Sequence, residues 1–414
     1  MNPKDLASAE ILLQDWLEEG VRLFSADAPP QADIAYLERW EKILIRLLYH
    51  QQSLFVESAD DPQLQKTAHA FSSFLSRHAG YRLELARKIS QRFAHRQSPG
   101  ELPRRLRRLA ADAAGRGLFI VLTRRCQLRC GYCRIDEYSG DLAPADLSRG
   151  IDLLLRSAAP SLRLHFFGGE PLLRFDLLKK GVSWTEKRRL ARNKSVSYAV
   201  TTNALLLDDA KLAFLRRHDF IVEASYHQPP AASEAYQHRL LRKLELLRDS
   251  RVPYYVVMTV RPEEAPDIRR HFIRLAEQGH HRIQISTTLG VLWERQRMTE
   301  LLQGLDAVRK YTAKHPGIEL MNLSGIRREP MLLNAQPMMD SNGDLCLQLG
   351  LFFKRARSLD LKWPRDGDFD AQIPTPFDTF RRLTRCFGSE HKQRELSRIL
   401  LNNITLGWLI GRAM

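Results

Sequence analysis

Leu118-Phe-Ile-Val-Leu-Thr123 runs straight into Arg124-Arg125-Cys126-Gln-Leu-Arg-Cys130-Gly-Tyr-Cys133. An apolar run of strand length thus ends in a loop carrying three cysteines in the form CxxxCxxC. A loop at a strand C-terminus can wrap three thiolates around one inorganic cube. Three ligands on a [4Fe–4S] cluster leave one iron without a protein ligand, open to a small molecule. The competing assignment is a structural zinc site, which closes with four Cys or His ligands in CxxC-type pairs. No fourth cysteine lies nearby and the three-residue gap is unusual for zinc, so the spacing favours the cluster.

Downstream of this loop, apolar runs recur at Leu162–Phe167, Ser195–Thr201, Phe220–Ser225, Tyr254–Val260 and Arg282–Ser286. Helical patterns separate them at Ala145–Ser157, Ala210–Arg217, Glu234–Leu247, Pro266–Glu277 and Met298–Ala313. Six strands alternating with helices predict parallel βα units, hence an α/β sheet or partial barrel whose chemistry collects at the loops after the strands. Upstream, Leu37, Trp40, Ile43, Leu47 and Leu48 recur at helical spacing, and Ala28-Pro-Pro and Ala59-Asp-Asp-Pro act as breakers. The expected organisation is a helical N-terminal domain over 1–115, the barrel over 116–315 and a small α+β extension over 316–414. That extension shows a turn signal at Asp340-Ser-Asn-Gly-Asp, a proline-rich patch at Pro374 and Pro376, and a charged final helix from about Gly388 to Asn402.

Composition bounds the function. The chain has 414 residues, and 64 Lys+Arg against 48 Asp+Glu give a net charge of +16. A hydrophobic share of 44% supplies a core and excludes a disordered chain. No apolar run is long enough to span a bilayer. Met1 to Leu12 carries Lys4, Asp5 and Glu10, which argues against a secretory signal, so a soluble cytoplasmic protein is expected. Five cysteines are too few, and odd in number, for a disulfide framework. Basic runs such as Arg104-Arg105 and Lys187-Arg188-Arg189 read first as solvated helix faces.

After the second strand comes His165-Phe-Phe-Gly168-Gly169-Glu170-Pro171. Paired glycines let backbone approach a ligand closely, and the adjoining carboxylate can accept hydrogen bonds from a cationic amine. With these residues at the mouth of one sheet, the chain resembles the radical S-adenosylmethionine superfamily over about Gly117 to Ser286. The cysteine loop, with Tyr132 before the last cysteine, looks like that family's cluster loop. Gly168, Gly169 and Glu170 are similar to its motif for the methionine amino group. Thr202 and Asn203, in Thr201-Thr-Asn-Ala204, resemble the Thr-Asn-Gly stretch of peptide- and protein-modifying members, with Ala204 in place of glycine. By the same resemblance Ser225 contacts the cosubstrate carboxylate, Arg239 is the arginine that follows it, and the backbone at Leu289 meets the adenine. The Asp-Gly pair expected after Ser225 is absent, replaced by Tyr226-His-Gln-Pro229.

The resemblance implies a partial (βα)6 barrel, a [4Fe–4S] cluster on Cys126, Cys130 and Cys133, and S-adenosylmethionine chelating its open iron. An electron from the reduced cluster splits the sulfonium bond, and the 5′-deoxyadenosyl radical takes hydrogen from an unactivated substrate carbon. Met338 to Cys346 resembles the start of a SPASM extension, which in full form holds further clusters. Only Cys346 and Cys386 remain for it, so a cluster-free version is expected. Cys346 is read either as a buried hydrophobe or as a hydrogen-atom donor to a substrate radical. Asp340 and Glu223 are conceivable acid–base groups, and His165 and His227 are expected to be packed rather than ligating.

The leading functional expectation is modification of a peptide or protein, such as epimerisation or crosslinking, with flavodoxin or ferredoxin as electron donor. The alternative keeps the radical chemistry and directs it to a small molecule. A third reading, a non-catalytic iron–sulfur protein binding nucleic acid, gains from the basic charge but has no aromatic-interleaved basic motif behind it. Some peptide-modifying members of the family it resembles carry a winged-helix recognition domain at this end; no strand is legible in 1–115, so a leader-binding role is not carried over to it.

Overall fold

The computed structural model describes residues 116–323, apart from 134, 136–139, 158 and 227–233, then 336–348, and separate helical residues between 40 and 74 and between 379 and 410. The strands are β1 (Arg116–Thr123), β2 (Ser161–Gly168), β3 (Ser195–Thr202), β4 (Ile221–Tyr226), β5 (Tyr254–Val260), β6 (Arg282–Thr287), β7 (Glu319–Leu320), β8 (Pro337–Met339) and β9 (Leu345–Leu347). They form one nine-stranded sheet in the order β7-β6-β5-β4-β3-β2-β1-β8-β9. Every described pairing is parallel except that of β8 with β9. The helices between the strands are α1 (Pro144–Leu155), α2 (Phe175–Ala191), α3 (Asp209–Arg217), α4 (Glu234–Asp249), α5 (Ile268–Glu277) and α6 (Arg295–Lys314). This is the open parallel sheet of a partial barrel, in agreement with the sequence pattern.

Alternation along each strand sorts the two faces. Leu162, Leu164 and Phe166 of β2 are fully buried in the main core, with Leu147 and Ile151 of α1 and Leu177, Leu178 and Val182 of α2. Their neighbours Arg163, His165 and Phe167 therefore face the inner side of the sheet. Complete burial of a side chain such as Phe166 contributes about 2–3 kcal/mol.

The six strands read from sequence agree with the structure to within one or two residues at each end. α2 was not among the helical patterns read. α5 begins at Ile268 rather than Pro266, because Pro262–Asp267 forms a separate 3-10 turn. The final helix does not stop near Asn402: residues 402–407, 409 and 410 are helical, and buried Ile404 and Leu406 carry it onward. Most of 1–115 lies outside the described residues.

Past β7 the chain returns to the other edge of the sheet. β8 pairs with β1 through Phe119↔Met338 and Ile120↔Met339, and β9 folds back on β8. The turn between them is the expected one: Gly343, at φ +84°, donates its N–H to Asp340 O at 2.9 Å. The C-terminal hairpin thus lies directly beside the strand that feeds the cysteine loop.

Candidate functional site

The cysteine loop leaves β1 at Thr123 and is pinned at both of its ends. Thr123 Oγ1 donates to Asp141 Oδ1 at 2.7 Å, and Arg125 donates to both oxygens of the same carboxylate at 2.9 and 2.6 Å. Arg174 adds a contact of 2.8 Å. Partial burial alone would raise the Asp141 carboxyl, but the bonds from Thr123, Arg125 and Arg174 outweigh it and hold the group below the usual range. Arg124 pairs with Asp340 of the β8–β9 turn, its Nε lying 2.9 Å from Oδ1. Asp340, conceivable as an acid–base group from sequence, is thus the partner of a cation in the cavity wall.

The Gly-Gly-Glu turn is held against this loop by its backbone. Gly169 N–H donates to Thr123 O and Glu170 N–H to Arg125 O, both at 2.9 Å. Gly168 adopts φ +139°, and a side chain there would meet Thr123 O at 2.2 Å. Only glycine permits that combination of torsion and contact.

Glu170 is fully buried beneath the turn. Its Oε1 accepts from Leu172 N–H at 3.0 Å and Thr202 Oγ1 at 2.8 Å, and its Oε2 accepts from Asn203 N–H at 2.8 Å. Three of the roughly four acceptor positions of a carboxylate are filled, leaving one for a further donor. Burial pushes its carboxyl up to about 7, against those three hydrogen bonds, so a nearby cation would favour the ionised form. Thr202 ends β3, and Asn203 just past it reaches across to the cysteine loop. Its Oδ1 accepts from Gln127 Nε2 at 2.9 Å and its Nδ2 donates to Cys126 Sγ at 3.6 Å.

These elements enclose a cavity of about 330 Å³ lined by Cys126, Cys130, Cys133, Gly168, Gly169, Thr202, Asn203 and Ser225, with Arg124, Arg129, Leu128, Tyr132, Ile135, Phe167 and Thr201. Most of the residues singled out in the sequence therefore converge on one place. Arg239 is not brought there, being exposed on α4. Leu289, half-buried just past β6, packs against the main core and also does not line the cavity, and Glu170 lies fully buried behind the Gly168-Gly169 turn, outside the lining.

The donors suit an iron–sulfur cluster. Cys126 Sγ accepts from Leu128 N–H at 3.4 Å as well as from Asn203, the hydrogen bonding that tunes a ligand sulfur. Burial pushes the Cys130 thiol up to about 11 and raises that of Cys126, so a metal must displace both protons. Among the described residues no three His, Cys, Asp or Glu groups close on a single ion. In a cube each thiolate serves a different iron, so convergence on one point is not required.

Cys346 is buried with Val121 and Met338, against Phe119, Ile135 and Phe167. Two of those neighbours, Ile135 and Phe167, line the cavity, and Cys346 itself does not. Cys386 and His227 lie outside the described residues. His165 is packed, as expected: it stacks on Phe119 at 4.2 Å, and its Nε2 lies 2.8 Å from Thr201 Oγ1.

Burial drives the His165 imidazole down to about 4, with Glu223 opposing. In the unfolded chain its pKa is the ordinary ~6.5. Between these values the unfolded state binds more protons, so stability is full above pH ~6.5 and falls as pH drops towards 4, by up to about 3 kcal/mol. Denaturant unfolding of wild type and His165→Gln across that range is expected to show this loss in wild type and to remove it in the variant. Equal pH dependence in the two would count against the assignment.

Sequence reasoning missed Arg124, Asp141, Gln127 and the inner-face residues Arg163 and Thr201. Their partners lie up to 216 residues away, beyond any local pattern.

The site's surroundings match known proteins. Residues 120–276 match the family model described as Radical SAM superfamily. The PqqA peptide cyclase of Gluconobacter oxydans (strain 621H) is 28% identical over 205 residues, 47% of this chain and 55% of that protein. A serine-type anaerobic sulfatase-maturating enzyme of Klebsiella pneumoniae is 26% identical over 175 residues, 38% of this chain and 44% of that protein. The chain thus spans about half the length of the curated relatives it matches. The solved structure of native anSMEcpe with bound AdoMet and Kp18Cys peptide superposes with a TM-score of 0.53 at 17% identity, covering 63% of this chain and 81% of that one. That likeness concerns the fold.

Proposed function

We propose, for a chain that carries a radical SAM domain over residues 120–276, that it is an enzyme cleaving S-adenosylmethionine reductively and applying the resulting radical to a peptide or protein. The observation that carries this reading is the single cavity shared by Cys126, Cys130 and Cys133 with the Gly168-Gly169 turn and the ends of β3 and β4. The family uses S-adenosylmethionine and an iron–sulfur cluster. When bound, the cluster supplies the electron that breaks the sulfonium bond.

The chain's own residues bind, orient and exclude. Cys126, Cys130 and Cys133 hold the cluster. The Gly168-Gly169 backbone and the remaining acceptor position of Glu170 receive the methionine amino group, and Ser225 borders the cavity for its carboxylate. Leu128, Ile135 and Phe167 supply apolar wall that keeps water and stray hydrogen donors from a reactive intermediate. Peptide-modifying relatives support the substrate class; the electron donor in this reading is a flavodoxin or ferredoxin. Cys346, behind Ile135 and Phe167, is better placed to pack than to donate hydrogen.

The test is anaerobic reconstitution with iron and sulfide, followed by dithionite and S-adenosylmethionine. About four irons per chain and release of 5′-deoxyadenosine are expected, both lost when Cys126, Cys130 and Cys133 are replaced by Ala. Zinc in place of iron, or an intact cluster that cleaves nothing, would overturn the proposal.

A further inference from the structure

The inner face of the sheet carries a polar cluster that the chemistry above leaves unused. Strand register sets Thr201 beside Glu223 and Glu223 beside Tyr255, and Arg163 and His165 reach the same point from β2. Arg163 Nη2 donates to Glu223 Oε1 at 3.0 Å, and Thr201 Oγ1 donates to Glu223 Oε2 at 3.0 Å. The Tyr255 hydroxyl bonds the same carboxylate. An ion pair buried this way contributes little net stability compared with apolar packing. Arg163 Nε is also buried without a hydrogen-bond partner, a cost that a purely structural plug would avoid.

The hydrogen bonds fix where each proton sits. Thr201 has one hydroxyl proton and gives it to Glu223. The 2.8 Å contact with His165 must then be an Nε2–H donating to Thr201 Oγ1. One lone pair of that oxygen remains, and Thr201 lines the cavity. The floor therefore offers an acceptor whose proton cannot turn outward. The Arg163 and Glu223 charges cancel and His165 is neutral, so the cluster favours a neutral donor over an ammonium group.

We propose that Thr201 Oγ1 is a docking point for a peptide N–H of the substrate, held in its accepting state by Glu223 and His165, with Arg163 and Tyr255 fixing the carboxylate. The proposal rests on the peptide-modifying reading and deepens it. The experiment measures binding of small amides to the reconstituted protein with S-adenosylmethionine present, by saturation-transfer NMR titration. N-methylacetamide is the probe, N,N-dimethylacetamide removes the donor, and methylammonium supplies a charged one.

N-methylacetamide is expected to bind most tightly, to weaken about fivefold in Thr201→Val, and to recover in Thr201→Ser. Methylammonium and the dimethylated amide should not respond to either substitution. Equal binding of the two amides, or an unchanged Thr201→Val, would overturn the proposal. So would displacement of N-methylacetamide by S-adenosylmethionine, which would assign the acceptor to the cosubstrate. A wild-type chain that holds no iron and cleaves nothing would sink the radical-enzyme reading instead, and the amide comparison would still decide the docking point.

Discussion

A Gly169→Ala variant is expected to lose most of the wild type's capacity to hold iron. A side chain at that position would sit 2.4 Å from Arg125 O and 2.5 Å from Arg124 O, both backbone atoms of the segment that leads into Cys126. Neither carbonyl can rotate aside without moving the cysteine loop or breaking the 2.9 Å bond from Glu170 N–H to Arg125 O. Overpacking of this kind costs about 1–3 kcal/mol, and rigid backbone on the far side places this case at the upper end. Gly131→Ala is the matched control, since its added methyl meets nothing within 4 Å in the same loop. Iron per chain after reconstitution and the thermal unfolding midpoint decide the matter. Equal iron in the two variants would show that the turn and the cysteine loop are not mechanically joined.

The second large effect is expected at Glu170, where alanine and glutamine should separate two roles. Glu170→Ala strands three buried donors, on Leu172, Thr202 and Asn203, each costing about 1–3 kcal/mol when left unpaired. The variant should unfold at clearly lower temperature and take the end of β3 with it. Glu170→Gln keeps shape and one acceptor oxygen but presents an amide N–H₂ where an acceptor is needed. It should fold, hold iron, and bind S-adenosylmethionine more than about tenfold more weakly, as loss of a charge-assisted hydrogen bond requires. Equilibrium dialysis with labelled S-adenosylmethionine reads the affinity. Wild-type affinity in Glu170→Gln would leave Glu170 a structural staple only.

Much of this arrangement was legible because its signals are local. Six apolar runs, five of them with β-branched residues and each closed by a polar or glycine turn, give the strands, and the cysteine and glycine motifs fall at the ends of β1 and β2. α2 escaped because its core face is not uniformly apolar: Gly181 and Thr185 share it with Leu177, Leu178 and Val182. β8 and β9 are three residues each, too short to show alternation, although the Asn342-Gly343 turn between them is plain. The site's polar scaffolding was invisible for another reason. Arg163 meets Glu223 60 residues away and Arg124 meets Asp340 216 residues away, and nothing in either neighbourhood advertises the partner. Arg239 and Leu289 show the converse, since each suits a motif spacing yet neither lines the cavity.

The parallel splice of β8 onto β1 sets an order of events during synthesis. β1 and the cysteine loop emerge early, but the edge of β1 and the guanidinium of Arg124 wait for a segment 216 residues later. At 5–20 residues per second that delay is roughly ten to forty seconds, a long interval for three free thiols on a nascent chain. Such high contact order also slows the final closure. A ribosome stalled before residue 340 displays the three cysteines while Arg124, in the wall of their cavity, still lacks the Asp340 carboxylate.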